Sequence, residues 1–321
     1  MRAVTFSDGS ISIDQHPDPT PGVGEVLVAI RAAGLNGADV LQRKGFYPAP
    51  AGSPPDIPGL EFAGEVVDLG PDAARFAIGE RVMAIAGGGG QAELIAVHER
   101  ALMPVPAAVD WAAAGGLPEV FTTAHDALFT QAALGSGERL LVHGAAGGVG
   151  TAAVQLAAAI GATTTATVRN EDSRAGVESL GATLVIEPEG FGEHGPFDVV
   201  LELVGGPNIA ADVDALATGG RIVVIGVGGG AKAELNLLAL MGKRGRIMAS
   251  TLRARPLEEK AAALRAVERH VLPLFESGEI DVPIAATYPL EDAEAAYEHF
   301  TTPGKLGKVV LMAQPNGTVN G

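Results

Sequence analysis

The chain has 321 residues, a formal net charge of −16 and no cysteine. This length favours two domains, and a hydrophobic content of 47% suffices for two cores. The acidic surplus disfavours nucleic acid and anionic membranes as partners, and the lack of cysteine excludes disulfides, thiolate nucleophiles and thiolate metal ligands.

The sequence of residues 1–119 predicts that they form a β-rich domain. Short apolar segments are separated by turns rich in glycine and proline, the pattern of short strands. The predicted strands are 25–32, 64–69, 81–85 and 92–97. A helical stretch, 112–134, follows them.

Strand and helix then alternate, which predicts a doubly wound parallel sheet with helices on both faces. The predicted strands are 139–143, 163–168, 184–186, 197–203 and 221–226, and the predicted helices are 150–161, 173–180 and 208–217. Beyond a helix at 256–277, short strands return at 287–288 and 308–312, around a helix at 291–300. We therefore predict a discontinuous catalytic domain, 1–119 and 265–321, and a dinucleotide-binding domain, 120–264.

No segment has the apolar run of a signal peptide or a membrane-spanning helix, so we expect a cytoplasmic protein.

The glycine-rich segment 143–150 follows an apolar strand and opens an alanine-rich helix. Small residues at fixed spacing there permit a tight turn, close approach of backbone to a pyrophosphate, and helix–strand packing. The predicted cofactor contacts are Ala145, Gly147, Gly148, Val149 and Gly150. A glycine-rich connection in another kind of α/β protein is the alternative.

The next strand ends on Arg169, where an NAD-dependent enzyme places an acidic residue about 20 residues after the turn. An arginine at this point can pair with the 2′-phosphate of NADPH, and Arg174 follows closely. We therefore expect NADPH and regard NADH as the less favoured cofactor. The alternatives are that Arg169 is a solvated loop residue and that Glu171 and Asp172 partly cancel its charge.

Several further segments carry a family resemblance by their order and spacing. They are AGLNGAD at 33–39, QRKGFY at 42–47, GLE at 59–61, LPE at 117–119, STLRAR at 250–255 and GKVVL at 307–311. With the glycine turn, they resemble the zinc-free, zeta-crystallin-like quinone oxidoreductases of the medium-chain dehydrogenase/reductase superfamily, and within them the p53-inducible branch. The resemblance implies a GroES-like catalytic domain, a Rossmann domain and an active site in the cleft between them. It also implies a homodimer through the Rossmann edge strand, near residues 246–251.

Zinc-dependent relatives place three ligands at positions that here carry Asn36 or Gly37, Leu60 and Glu119. Leucine cannot ligate, and one carboxylate with one amide does not make a zinc site, so we expect no metal. Five histidines show no paired ligand spacing, and we interpret most of them as surface or core residues: His98, His125, His143, His194 and His270.

The resemblance also implies roles for single residues. Asn36 lies beside the nicotinamide, and Tyr47 stacks on the substrate or donates a hydrogen bond to it. Thr123 begins a bridging helix and contacts the cofactor, and Gly226 and Val227 end a strand at the cofactor edge of the sheet. Turn chemistry, helix capping and loop packing are the alternatives for these residues. We interpret Lys308 as a surface lysine.

These features predict NADPH:quinone reduction by metal-free hydride transfer in the cleft. Reduction of an enone, an α,β-unsaturated carbonyl compound, is the alternative chemistry, because it also delivers hydride to a conjugated, electron-poor acceptor. A crystallin-like protein that binds NADPH without catalysis is the alternative of another class.

Overall fold

The computed structural model describes residues 1–313, and the predicted domain segment 265–321 therefore extends beyond the described residues. The chain forms two compact units. The β-rich unit comprises Met1–Glu119, Leu252–Thr302 and the chain from Lys308 onward, and the parallel-sheet unit comprises Val120–Thr251 and Pro303–Gly307. The predicted boundary at 264/265 falls inside the helix Leu257–His270, whereas the second segment of the β-rich unit begins at Leu252.

The first segment of the β-rich unit is mostly strands. They are β1 (Arg2–Ser7), β2 (Ser10–Gln15), β3 (Glu25–Gly34), β4 (Glu61–Leu69), β5 (Arg81–Ile85), β6 (Leu94–His98) and β7 (Leu102–Pro104). The helix α1 (Gly37–Arg43) follows β3, and α2 (Trp111–Gly116) follows β7. The hairpin β1–β2 and the helix α1 were not predicted.

The helix α3 (Pro118–His125) passes from one unit into the other and continues as a π-helical segment, Asp126–Gln131. The parallel-sheet unit then contains six strands: β8 (Arg139–Val142), β9 (Thr163–Thr167), β10 (Leu184–Ile186), β11 (Phe197–Glu202), β12 (Leu216–Val224) and β13 (Arg246–Ala249). Its helices are α4 (Gly148–Ala159), α5 (Arg174–Ser179), α6 (Ile209–Ala215) and α7 (Leu237–Lys243).

The six strands pair in parallel in the order β10-β9-β8-β11-β12-β13. This is the order of a doubly wound dinucleotide-binding sheet, so the predicted Rossmann architecture is confirmed. The strands of this sheet are apolar because helices cover them. One core of the unit includes Leu141, Phe197, Val200, Val213 and Ile222.

The chain then returns to the β-rich unit through α8 (Leu257–His270), α9 (Leu272–Glu276), β14 (Ile284–Pro289), α10 (Ala293–Thr301) and β15 (Lys308–Met312). The last two strands join the larger sheet in the order β14-β15-β3-β4-β5-β7, with β6 also paired to β3. Its core contains Val28, Ile30, Phe62 and Val82. The N-terminal sheet is therefore completed by the last strand of the described chain.

None of the helices in the described part of the chain has both the length and the apolar character needed to cross a bilayer.

Candidate active site

The glycine turn joins β8 to α4 and leaves the start of that helix open. Gly147 is the N-cap in an extended conformation, and no side chain caps the helix. Gly144, which is exposed, has a φ of 65° and accepts a 3.1 Å hydrogen bond from the Gly147 N–H. Gly148 and Val149 lie in the first helical turn, whose N–H groups have no intrahelical acceptor. This arrangement fits an anionic group such as a pyrophosphate.

Gly150 sets how closely the helix approaches the strand end. A Cβ atom added at Gly150 would lie 2.6 Å from the Cα of Ala145 and 2.7 Å from its carbonyl oxygen. Ala145 is fully buried, and its N–H donates to the Thr167 carbonyl at the end of β9. Both residues therefore support the turn through backbone packing, which is the role that the motif predicts.

The two arginines predicted to bind a 2′-phosphate lie in different environments. Arg169 is exposed, and its guanidinium has no hydrogen bond or ion pair with residues 1–313. Arg174 pairs with Glu187 at 3.0 Å and donates to the Val168 carbonyl at 3.3 Å. Arg169 is therefore available to an anionic ligand, whereas Arg174 already has an acidic partner.

Three other predicted cofactor contacts lie near element ends. Thr123 lies in the last turn of α3, so the expectation that it begins the helix is wrong, since the helix starts at Pro118. Its Oγ1 is buried and has no hydrogen-bond partner among the described residues, which leaves it available to a ligand. Gly226 and Val227 follow β12 by two and three residues, and a Cβ at Gly226 would lie 2.3 Å from the Leu203 carbonyl oxygen.

Beneath the turn lies a buried polar cluster that the sequence did not predict. The imidazole of His143 contacts Asp212 Oδ1 through Nε2 (2.9 Å) and Thr167 Oγ1 through Nδ1 (3.1 Å). Thr167 Oγ1 also accepts a long bond, 3.4 Å, from the Gly144 N–H. The His143 ring thereby connects Asp212 to the backbone of the glycine turn.

Glu202 completes this cluster, with Oε2 3.9 Å from His143 Nε2. Its carboxylate also accepts from the Gly205 N–H (2.7 Å) and the Asn208 amide (3.0 Å). Burial raises the pKa of Asp212 to about 6, opposed by the hydrogen bond to His143. His143, Glu202 and Asp212 each offer one atom of a kind that can bind a metal ion, and these atoms lie within 4.8 Å of one another. Their hydrogen bonds make the cluster a support for the turn and for the loop after β11.

In the β-rich unit, Asn36 lies in a buried network. Its amide nitrogen donates to Glu61 Oε1 (3.0 Å), and its amide oxygen accepts from Lys308 Nζ (3.0 Å). Lys308 Nζ also lies 2.6 Å from Glu61 Oε1 and donates to the Leu35 carbonyl at 2.7 Å. Lys308 is only 3% exposed, so the interpretation as a surface lysine is wrong: the ammonium is the cation that neutralises Glu61.

Asp39 extends the network from the first turn of α1. Its carboxylate accepts from the Asn36 N–H (2.9 Å), the Gly59 N–H (3.3 Å) and the Gln91 amide (3.3 Å). Tyr297 in turn donates to Gln91 Oε1 at 2.9 Å. Burial raises the pKa of Asp39 to about 6, opposed by the N–H donors of Asn36 and Gly59. Asp39 therefore holds the backbone of Asn36, while Glu61 and Lys308 hold its side chain.

Glu119 adjoins this network at the start of α3. Its N–H donates to Glu61 Oε2 at 2.8 Å, but its own Oε2 is buried without a partner among the described residues. Burial, and then the negative charge of Glu61, raise the pKa of Glu119 to about 8, opposed by Lys308. At neutral pH this shift favours the neutral, protonated form of the Glu119 carboxyl group.

Tyr47 is positioned by Arg253, another residue that the sequence reasoning missed. The buried guanidinium donates to the Tyr47 carbonyl (3.1 Å) and the Gly87 carbonyl (2.7 Å), and its carbon lies 5.2 Å from the centre of the Tyr47 ring. It also donates to Gln42. A signal was present in the sequence, because Arg253 lies within the STLRAR segment that supports the resemblance.

The donor set at the positions of the zinc ligands does not fit zinc. Leu60 is apolar and 1% exposed, and the Asn36 amide is occupied by Glu61 and Lys308. Gly37 has no side chain, so Glu119 alone remains as a donor, and zinc requires three or four.

Two family models match the chain: "Alcohol dehydrogenase GroES-like domain" over residues 22–107 and "Zinc-binding dehydrogenase" over residues 148–269. The first confirms the predicted GroES-like domain. A quinone oxidoreductase from Lama guanicoe is 32% identical, covering 97% of this chain and 97% of that protein.

Two solved structures extend the comparison. A quinone oxidoreductase from Pseudomonas syringae superposes with a TM-score of 0.86 at 27% identity, covering 97% of this chain and 99% of that chain. A mycobacterial protein complexed with NADPH superposes with a TM-score of 0.86 at 25% identity, covering 97% of this chain and 100% of that chain. The chain belongs to the quinone oxidoreductase family within the medium-chain dehydrogenase/reductase superfamily.

Proposed function

We propose that this oxidoreductase is a zinc-independent NADPH:quinone reductase. The cofactor choice depends on Arg169, an exposed guanidinium that follows β9 and has no ion-pair partner within residues 1–313. A charge-assisted contact with a 2′-phosphate is available to it and has no counterpart in NADH. The resemblance to a mycobacterial protein complexed with NADPH supports this choice.

The residues that would hold the cofactor are the backbone of Gly147, Gly148, Val149 and Gly150, together with Arg169 and Thr123. When bound, NADPH supplies a hydride. A quinone is already electrophilic and is stable as its reduced anion, so its reduction does not require a Lewis acid. This agrees with a donor set that does not fit zinc. In the β-rich unit, Asn36 and Tyr47 are the proposed contacts to nicotinamide and acceptor.

The test follows the loss of nicotinamide absorbance with NADPH or NADH against ortho-quinones, para-quinones and enones. We expect quinone turnover with a preference for NADPH. Arg169→Ala should weaken NADPH binding by about 1–3 kcal/mol and leave NADH binding nearly unchanged. The control is Arg31→Ala, which removes a surface arginine paired with Glu65 and should change neither affinity.

Other outcomes of this assay would favour other functions. Faster turnover of enones would favour the enone reductase, and cofactor binding without turnover of any acceptor would favour a non-catalytic NADPH-binding protein. A preference for NADH would show that the role given to Arg169 is wrong. The cytoplasmic location and the absence of nucleic-acid and membrane partners stay predictions from the sequence.

We also propose a homodimer through the edge strand β13. On its inner side, β13 pairs with β12, and it is the last strand of the sheet. Beside it, α7 exposes Leu238 (76%) and Met241 (71%) to solvent. Pairing of β13 with its counterpart in a second copy would satisfy the edge and cover this apolar surface.

A further inference from the structure

Glu119 differs from every other acidic side chain in the buried network of the β-rich unit. Asp39 and Glu61 are hydrogen-bonded through both of their carboxylate oxygens. The carboxyl group of Glu119 has no hydrogen bond with the described residues, and its Oε2 is inaccessible to solvent. Glu119 as a whole remains partly exposed, so its carboxyl group lies at the border of the network.

Burial is the first reason why the pKa of this acid is raised, and the surrounding charges are the second. Two carboxylates face it, Glu61 and Asp39, and three cations oppose them, Lys308, Arg253 and Lys260. The ammonium group of Lys308 is bonded to Glu61, Asn36 and the Leu35 carbonyl. The Arg253 guanidinium is bonded to Gln42 and to two carbonyls. None of the three cations forms a hydrogen bond to Glu119 in the described part of the chain, so a third buried negative charge there would lack a paired partner.

We propose that Glu119 is the proton donor to the reduced acceptor. This inference rests on the proposed quinone reductase function. Glu119 occupies a position at which the zinc-dependent relatives place a metal ligand. A neutral carboxylic acid there can give the acceptor oxygen a proton where a metal would give it a positive charge.

The step balances in atoms and electrons. The quinone takes up one hydride, which is equivalent to two electrons and one proton and is what a bound nicotinamide would supply. The negative charge that develops on a quinone oxygen is neutralised as the O–H bond of Glu119 breaks and a new O–H bond forms on the acceptor. The products are hydroquinone and the Glu119 carboxylate, which regains its proton from solvent.

The central test is Glu119→Gln, which keeps the size of the side chain and a donor group but cannot transfer a proton. We expect kcat for quinones to fall about 100-fold, the scale of general acid catalysis, with NADPH affinity unchanged. In the wild type, kcat should fall as the pH rises above about 8, and this alkaline limb should be absent from Glu119→Gln. Glu119→Asp retains a titratable acid and should keep the limb.

Two further measurements separate proton transfer from a structural role. The loss of activity should be largest for quinones whose reduced anions are the strongest bases, because they depend most on the proton. Infrared difference spectra between about pH 6 and about pH 10, without acceptor, should show a protonated carboxylic acid that Glu119→Gln lacks. Glu268→Gln is the matched control: Glu268 pairs with Arg75, burial also raises its pKa, and its substitution should leave kcat and the pH profile unchanged.

The inference is wrong if wild type turns over quinones and Glu119→Gln keeps both kcat and the alkaline limb. Absence of turnover by the wild type with every acceptor would instead reject the proposed function. If Glu119→Gln does not fold, the pH profile of Glu119→Asp and the infrared spectrum of the wild type decide.

Discussion

The ammonium group of Lys308 and the carboxylate of Glu61 are both almost completely buried, at 3% and 0% exposure. Burying two charges costs solvation free energy, and this pair recovers it through a 2.6 Å contact and further hydrogen bonds to Asn36 and the Leu35 carbonyl. Removing one partner leaves the other charge buried and uncompensated. We therefore expect Lys308 to contribute both to the stability of the β-rich unit and to the orientation of Asn36.

We expect Lys308→Met to lower the free energy of unfolding by about 3–5 kcal/mol, measured by urea denaturation, because Glu61 then loses its cation. Adding Glu61→Gln to that variant should recover part of the loss, because the buried negative charge is removed. The control Lys44→Met removes an exposed lysine and should cost less than about 0.5 kcal/mol. An equal cost for both single variants would contradict the role given to the buried pair.

The position of Lys308 could not be predicted from its neighbours in the sequence. It stands at the start of an apolar strand, where an exposed lysine is common, and its partner Asn36 lies 272 residues away. Glu119, in contrast, was predicted to lie where zinc-dependent relatives place a zinc ligand, because the motif LPE and its spacing are local features of the sequence. Burial and then the charge of Glu61 raise its pKa, and only the tertiary structure supplies both.

Among the elements, the strand–turn–helix segment formed by β8, the glycine turn and α4 was the most predictable. Its signals are local: an apolar strand, small residues at fixed spacing and an alanine-rich helix. The helix α1 was missed because it is only seven residues long and begins with glycine, and Asp39 in its first turn accepts from the Asn36 N–H. Short elements of this kind are fixed by tertiary hydrogen bonds rather than by periodicity.

Gly150→Ala tests the close packing between α4 and the glycine turn. The added methyl group would lie 2.6 Å from the Ala145 Cα, so the helix must move away from the turn. We expect a loss of about 1–3 kcal/mol in stability and weaker NADPH binding, measured by thermal denaturation and by fluorescence titration. The control is Gly192→Ala, where no atom lies within 4 Å of the added methyl group. Unchanged NADPH affinity in Gly150→Ala would contradict the role of the turn.

At the level of the whole molecule, the proposed dimer makes a testable claim about solution mass. Leu238→Glu combined with Met241→Glu should shift the protein from dimer to monomer in sedimentation, because two charges would be buried at the interface. Val23→Glu and Ile78→Glu are matched controls, since these apolar residues of the β-rich unit are also exposed, at 70% and 64%. A monomeric wild type, or a dimer that survives the α7 changes, would contradict the proposed interface.

The path of the chain through the larger sheet has a consequence for synthesis on the ribosome. The strand β15 pairs with β3 and carries Lys308, so the first 119 residues emerge without the strand and the cation that complete their sheet. The parallel sheet is contiguous apart from residues 303–307, so its strands can pair as they emerge. The sheet that contains β3 can therefore be completed, and Glu61 neutralised by Lys308, only after the parallel sheet has been synthesised.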